Sequence, residues 1–173
     1  MSGTVGNTKG LVLAVHPTTR GFGWVLFEGP LAPVDWGMAS SPRASNAKLI
    51  ARFERLLARY EPSVLVLEEF EGGTRVDRIQ RLCRSMIHLA ACKGAETPVY
   101  RRNAVRTVFG SVGARTRYEI AQTIAQHIDA LSHLKPRRRM RLWENPDRRQ
   151  SLFDAAALAL TYFALSSERH KVS

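Results

Sequence analysis

The order of apolar segments along this 173-residue chain predicts an α/β fold with a mixed five-stranded sheet flanked by helices. Two observations lead to this prediction. Three short apolar segments come first and are separated only by turn residues, which is typical of an antiparallel meander. Short β-branched segments then alternate with longer segments of helical periodicity, which is typical of parallel strands joined by helices. We therefore expect an antiparallel meander plus parallel strands in one sheet.

The meander is predicted from apolar runs and from the turn residues between them. A buried strand from Leu11 to Val15 ends at His16, and a polar turn that contains Gly21 leads into a second strand, Phe22 to Phe27. Leu31 to Ala39 alternates apolar and polar residues and contains a proline and a glycine, which predicts a third strand at the sheet edge. His16 is therefore expected at the rim of the sheet, where rigid strands commonly hold reactive groups.

The remainder of the chain alternates predicted helices with short predicted strands. In order, these are a helix at 45–60, a strand at 64–67, a helix at 74–93, a strand at 97–100, a short helix at 103–110, a further helix from 116 and a last helix at 148–166. Asn103 is expected to cap the short helix. The capping box of Thr116 and Glu119 begins the next helix, which carries Ile120, Ile124, Ile128 and Leu131 on one face. This order is that of an RNase H-like fold. We expect a flexible tail at residues 1–10 and a single domain at 11–168.

Charge narrows the classes of function. The chain has 26 lysines and arginines against 15 acids, a net charge of +11, and 21 of the cations are arginine. The planar guanidinium pairs with phosphate in two places at once, so nucleic acid is the favoured partner and an arginine-rich proteome is the alternative. No apolar run approaches the roughly 20 residues of a membrane span, so we expect a cytoplasmic protein. Cys83 and Cys92 lack metal-ligand spacing and are expected to be reduced core thiols.

Three acids lie at positions that call for a chemical explanation. Glu68 and Glu69 directly follow the buried strand at 64–67, and alternation turns Glu69 to the opposite face as a solvated or arginine-paired residue. Asp154 interrupts the apolar run FDAAALALTYFAL, where an ionised group costs several kcal/mol unless it is paired or bound to metal. A first-turn carboxylate favoured by the helix dipole is the alternative for Asp154. Two metal ions held by such acids activate water for phosphodiester hydrolysis, so Glu68 and Asp154 are candidate catalytic residues and metal ligands.

Four segments taken together resemble the RuvC family of Holliday-junction resolvases: LAVHPTTRGFGWVLFEG, IARFERLLARYEPSVLVLEEF, PVYRRNAVRTVFGSVGARTRYEIAQTIAQHI and SLFDAAALALTYFA. The resemblance covers about residues 10–165. It implies an endonuclease that depends on Mg²⁺ or Mn²⁺, is selective for the structure of branched DNA and acts as a homodimer. By the same resemblance, Glu68 matches a family glutamate at a strand end, Asp154 matches the last helical aspartate, and Arg117 lies near a family lysine.

Two positions depart from the family pattern. His16 stands where the family has its first-strand aspartate, and Ser151 stands where an aspartate or histidine precedes the last aspartate. A neutral imidazole in place of a bridging carboxylate removes a negative charge and weakens Mg²⁺ binding, although histidine does ligate Mn²⁺ or Zn²⁺. His16 is thus either a third catalytic residue and metal ligand or a hydrogen-bonded imidazole in a site that has lost its activity. Asp147 is a candidate substitute charge if the last helix begins early enough to place it two turns before Asp154.

Two functions therefore stay open, a metal-dependent endonuclease and a RuvC-like protein that binds nucleic acid without cleaving it. Phosphate neutralisation needs cations and no metal site, so binding survives a loss of catalysis. The candidate nucleic-acid-binding residues are Arg75, Arg78, Arg81, Arg84, Arg115, Arg117, Arg137, Arg138 and Arg139. The run KPRRRMR beside Trp143 is either a phosphate-binding loop or a flexible solvated one. Phe70 is either a base-stacking residue or a core residue.

Overall fold

The computed structural model describes residues 10–41, 43, 45–70, 74–145 and 147–171, with the side chains of 74–76 left out. The elements in chain order are β1 (Val12–Pro17), β2 (Gly21–Gly29), β3 (Ala32–Ser40), α1 (Asn46–Tyr60), β4 (Val64–Glu69), α2 (Thr74–Cys92), β5 (Val99–Arg101), α3 (Arg102–Gly110), α4 (Arg117–His127), α5 (Asp129–Ser132) and α6 (Gln150–Lys171). The tail predicted at 1–10 lies outside the described residues except for Gly10.

The five strands form one sheet in the order β3-β2-β1-β4-β5. β1, β2 and β3 pair antiparallel, whereas β4 runs parallel to both β1 and β5. The predicted mixed sheet and the edge position of β3 are thereby confirmed. β1 lies at the centre and is buried along its whole length, which explains why its sequence is apolar almost without interruption.

Two apolar clusters cover the two faces of the sheet, because successive side chains of a strand point to opposite sides. Val12 and Ala14 of β1 belong to a cluster with α3, α4 and α6, and Leu13 and Val15 belong to a second cluster with α1 and α2. His16 is the next residue after Ala14 on the α6 side. The alternation of β1 therefore turns the imidazole toward α6.

The start of α6 lies directly on β2 at Gly23, the residue paired with His16 in the antiparallel ladder. A Cβ atom at Gly23 would lie 2.4 Å from the backbone carbonyl carbon of Ser151, so only glycine allows this approach. From Ser151 to Ala159 every residue of α6 is buried, which accounts for the apolar run in the sequence. No described helix is long and apolar enough to span a membrane.

Four local predictions meet the structure with different outcomes. The capping box of Thr116 and Glu119 is confirmed. The prediction that Asn103 caps α3 is wrong, because β5 runs straight into a helix that begins at Arg102 and leaves no loop for a cap. Ile128 leaves the predicted helix in an extended conformation but remains buried. The prediction of a core thiol is wrong for Cys92, which lies on the exposed side near the end of α2.

Cys83 is the buried thiol of the pair. Burial, together with the nearby Glu68 carboxylate, raises the pKa of the Cys83 thiol to about 12. Nucleophilic and redox chemistry of cysteine requires the thiolate, so Cys83 is an inert core residue at neutral pH.

Candidate functional site

The parallel pairing of β1 with β4 brings His16 and Glu68 together. The ladder pairs Val12 with Val64 and Ala14 with Val66, and two residues further along each strand come His16 and Glu68. His16 Nε2 lies 3.0 Å from Glu68 Oε2, and the two residues are only 5% and 6% exposed. The atoms are within ion-pair distance but not in hydrogen-bond geometry, because neither His16 ring nitrogen has a hydrogen-bond partner among the described residues.

Asp154 reaches the same rim of the sheet from the second turn of α6. Its Oδ2 lies 3.8 Å from His16 Nδ1, and the residue is 3% exposed. The imidazole therefore stands between the Glu68 and Asp154 carboxylates, with one ring nitrogen toward each. Three residues that are far apart in sequence, and that the sequence predicts as catalytic, thus lie side by side in the fold.

Two arginines close the site from the helices that follow β5. Arg102, the first residue of α3, places Nε 3.1 Å from Glu68 Oε1 and Nη1 4.0 Å from Asp154 Oδ1. Arg117, the first residue of α4, donates from Nε to Asp154 Oδ1 at 3.3 Å and from Nη2 to Asp154 Oδ2. We refer to His16, Glu68, Arg102, Arg117 and Asp154 as the carboxylate cluster.

The carboxylate cluster balances its own charge, with two carboxylates against two guanidinium groups. Burial by itself would raise the pKa of Asp154, but the nearby His16 and the hydrogen-bonded Arg117 lower it, and Arg102 adds to their effect, so the net shift of that pKa is downward. Buried ions are tolerated when they are paired and hydrogen-bonded. The Asp154 carboxylate is therefore held in its ionised form by cations that belong to the protein.

The residues of the carboxylate cluster do not fit a pair of Mg²⁺ or Mn²⁺ ions. A hard cation needs carboxylate oxygens that are open to it. Here Glu68 Oε1 pairs with Arg102, and Glu68 Oε2 lies 3.0 Å from His16 without a hydrogen-bond partner among the described residues. Both oxygens of Asp154 accept from Arg117, and one also accepts from Gln150 at 3.1 Å. Over the described ranges, no three His, Cys, Asp or Glu side chains are arranged to hold a metal ion. Guanidinium groups stand where a divalent cation would need negative charge.

Neither Ser151 nor Asp147 supplies the acid that the family pattern has at position 16. The Ser151 hydroxyl donates to the carbonyl oxygen of Arg148 at 2.9 Å and so stabilises the start of α6. Asp147 precedes α6, which begins at Gln150, so the condition of a shared helix face with Asp154 is not met. Its carboxylate instead accepts hydrogen bonds from the Arg149 side chain and from the Arg137 backbone amide.

The predicted nucleic-acid-binding arginines lie in different environments. Arg117 belongs to the carboxylate cluster, and Arg78 donates to Asn46 Oδ1 at 3.0 Å and to the Thr19 carbonyl at 3.2 Å, which ties α2 to α1 and to the β1–β2 turn. The side chain of Arg75 lies outside the described residues. Besides Arg117, the exposed members of the set are Arg81, Arg84, Arg115, Arg137, Arg138 and Arg139.

Two further predicted side chains lie near the rim of the sheet. The Phe70 ring packs edge-on against His16 with 5.8 Å between centroids and is half-buried against the α1–α2 cluster. Glu69 points away and pairs with Arg101 at 3.0 Å, which confirms its predicted arginine partner. Phe70 therefore supports His16, whereas Glu69 takes no part in the carboxylate cluster.

Arg102 and Gln150 contact the buried carboxylates but are not among the residues predicted from the sequence. Arg102 immediately follows β5, which runs parallel to β4, so the two strands end at the same rim of the sheet. The sequence predicts a strand just before Arg102, but only the order of the strands in the sheet places this cation beside Glu68. Gln150 precedes Asp154 by four residues, which is the spacing of neighbours on one helix face.

No protein-family model matches this chain, and no curated protein matches its sequence. Solved structures do match it. The RuvC of Thermus thermophilus in complex with a Holliday junction substrate superposes with a TM-score of 0.67 at 18% identity, over 91% of this chain and 96% of that one. The chain has the RuvC fold. A second T. thermophilus RuvC structure gives a TM-score of 0.65 at 19% identity, over 91% and 96% of the two chains.

The yeast mitochondrial Holliday junction resolvase Ydc2 has a similar RuvC-like structure, with a TM-score of 0.60 at 13% identity over 88% of this chain and 77% of that one. The RNase H-like, RuvC-like architecture predicted from the sequence is thereby confirmed. On this RuvC fold, His16 and Glu68 occupy the ends of two adjacent strands and Asp154 the start of the last helix. These are the three positions at which the sequence resemblance to the RuvC family implies catalytic acids.

Proposed function

We propose that this RuvC-fold protein binds nucleic acid, with branched DNA as the preferred target, and that its carboxylate cluster does not support metal-dependent hydrolysis. One observation carries the second half of the proposal. Glu68 Oε1 and both oxygens of Asp154 already face an arginine side chain of the protein, and Glu68 Oε2 lies 3.0 Å from the His16 imidazole. A Mg²⁺ ion would have to displace Arg102 from Glu68 Oε1 and Arg117 from Asp154 before it could bind more than the single oxygen Glu68 Oε2.

The net charge of +11 and the exposed arginines support the binding half of the proposal. Arginine neutralises phosphate and releases condensed counterions, which favours binding to any nucleic acid. The choice of branched DNA rests on the RuvC fold, which is that of a protein whose structure contains a Holliday junction.

The carboxylate cluster itself presents positive charge to the surface. Its carboxylates are 6% and 3% exposed, whereas the Arg102 and Arg117 side chains are 24% and 46% exposed. A phosphate at this rim of the sheet would therefore meet guanidinium groups. In this proposal the cluster contributes to binding as an arginine pair that buried carboxylates hold in place.

The second candidate function is the endonuclease implied by the RuvC resemblance. The convergence of Glu68, Asp154 and His16 favours it, since three side chains that are separated in sequence meet at one rim. This candidate requires the two arginines to leave the carboxylates when DNA and Mg²⁺ or Mn²⁺ bind.

For both candidate functions we propose that the protein acts as a homodimer. Light scattering would then report twice the mass of the chain.

Cleavage and binding of a labelled four-way junction separate the two functions. We expect the protein to bind the junction with an affinity that falls steeply as salt rises, and to leave it uncut with Mg²⁺ or Mn²⁺. Asp154→Asn and the exposed control Glu69→Gln should both remain without cleavage. Cleavage by the natural chain that Asp154→Asn abolishes and Glu69→Gln retains would establish the endonuclease.

His16→Asp provides a further arm of the same experiment. This substitution places a carboxylate at the end of β1 and gives the carboxylate cluster a net negative charge, which favours divalent cations. Cleavage by His16→Asp but not by the natural chain would show that the site lost its activity at this position. Absence of DNA binding at any salt concentration would contradict both candidates.

A further inference from the structure

The segment from residue 135 to 145, which we call the basic loop, exposes three large apolar side chains close together. Met140, Leu142 and Trp143 are 80%, 87% and 78% exposed, more than any other large apolar residue described. Isolated exposed apolar residues are ordinary, whereas a group of them on one surface is a feature of interaction sites. Nothing in the carboxylate cluster or in the proposed function accounts for them.

Cations are interleaved with these apolar residues. Arg137, Arg138, Arg139 and Arg141 are exposed, and none of them has a carboxylate within ion-pair distance in the described part of the chain. The Arg141 guanidinium lies 5.6 Å from the centre of the Trp143 ring. An aromatic ring and several arginines on one short loop form the combination that binds single-stranded nucleic acid, where bases stack and phosphates pair with cations.

Hydrogen bonds fix the course of the basic loop. The Asp147 carboxylate accepts from the backbone amides of Arg137 at 2.9 Å and Arg149 at 3.0 Å, so it joins the two ends of the loop. The Glu144 carboxylate accepts from the backbone amide of Met140 at 3.1 Å. Both nearby acids therefore bond to the backbone and leave the arginines of the loop without a carboxylate partner. A loop held in this way presents Trp143 with less loss of entropy on binding.

We infer that the basic loop binds unpaired nucleotides, with Trp143 stacking on a base and its arginines pairing with the flanking phosphates. This inference rests on the proposed nucleic-acid binding and names the feature that the loop recognises. Trp143 precedes Gln150 by seven residues, which span at most about 25 Å, and Gln150 contacts Asp154. The loop can thus reach unpaired bases next to DNA that lies at the rim of the sheet.

Trp143→Ala tests the inference, with Leu142→Ala as the matched control because that neighbour is as exposed and has no ring. Affinities are measured for a single-stranded oligothymidylate, a duplex and a four-way junction. We expect Trp143→Ala to weaken single-strand binding about 5- to 150-fold, the range of one lost base stack, and to leave duplex affinity nearly unchanged. Trp143→Phe should retain most of the single-strand affinity, and Leu142→Ala should behave like the natural chain.

Tryptophan fluorescence gives an independent readout. Oligothymidylate should quench the natural chain and not Trp143→Phe, since Trp24 and Trp36 are packed against the two core clusters. The inference would be overturned, while the proposed function stands, by the following result: the protein binds the duplex and the junction, oligothymidylate causes no quenching, and Trp143→Ala does not change single-strand affinity. Absence of binding to all three DNAs would overturn both. A response to vesicles of phosphatidylserine and phosphatidylcholine but not to oligothymidylate would overturn the inference in favour of a membrane-binding loop.

Discussion

The carboxylate cluster and the basic loop use arginine in opposite ways. In the cluster, Arg102 and Arg117 pair with buried Glu68 and Asp154, so their charge is balanced by carboxylates of the protein although both guanidinium groups are partly exposed. In the loop, the arginines at 137–139 and 141 face solvent. The difference follows from burial, because a carboxylate removed from water must be paired, whereas an exposed guanidinium remains hydrated. The net charge of +11 is therefore not evenly available to a partner.

The largest expected effect comes from breaking the carboxylate cluster. Asp154→Ala removes the carboxylate that Arg117 and Gln150 bond and that His16 approaches. We expect the free energy of unfolding, measured in urea, to fall by about 3 kcal/mol, the cost of leaving a buried charge network unbalanced. Glu69→Gln breaks an exposed pair with Arg101 and should cost less than about 1 kcal/mol. Equal losses in the two variants would contradict the structural role assigned to the cluster.

The second prediction concerns the arginines of the basic loop, whose charge faces solvent and is available to a nucleic acid. Replacing Arg137, Arg138 and Arg139 together by glutamine removes cations that face solvent, so we expect DNA affinity to fall about tenfold and its logarithmic salt dependence to lose up to about three units of slope. Stability should hardly change. Arg78→Gln is the matched control, because that arginine bonds to Asn46 and to the Thr19 carbonyl. A steeper loss of DNA binding in Arg78→Gln than in the triple variant would refute the comparison.

The smallest effect concerns the acid that joins the ends of the basic loop. Hydrogen bonds from the Arg149 side chain, assisted by the Arg137 and Arg149 backbone amides, hold the pKa of Asp147 below its ordinary value. Because the folded pKa is lower than the unfolded value of about 3.9, the carboxylate stabilises the fold above that pH, and this stabilisation is lost as the pH falls toward the folded pKa.

Asp147→Asn measures this contribution. At pH 6 the natural chain should exceed the variant by about 1 kcal/mol in the free energy of unfolding, a small figure because the site is partly open to solvent. The difference should shrink as the pH is lowered below about 4. A difference that stays constant from pH 6 to pH 2 would exclude the ionised carboxylate as its source.

Most of the fold follows from local sequence patterns. The short apolar runs of β1 and β4, the period near 3.6 in α1 and the capping box of α4 depend on neighbouring residues, and each was predictable for that reason. The prediction that failed at Asn103 concerned the junction of β5 and α3. Its outcome depended on whether a loop intervenes, and residue preferences alone do not decide that.

The candidate site likewise has features that local patterns predict and features that depend on tertiary packing. Local sequence patterns suffice to place His16 and Glu68 at strand ends and Asp154 in a buried helix, because hydrophobic burial and alternation act over a few residues. Which cations face those carboxylates depends on the packing of distant elements. Arg102 and Arg117 reach them only because α3 and α4 begin beside the start of α6, which the close approach at Gly23 holds against the sheet. Side chains that meet across several elements depend on packing of the whole fold, which no local pattern encodes.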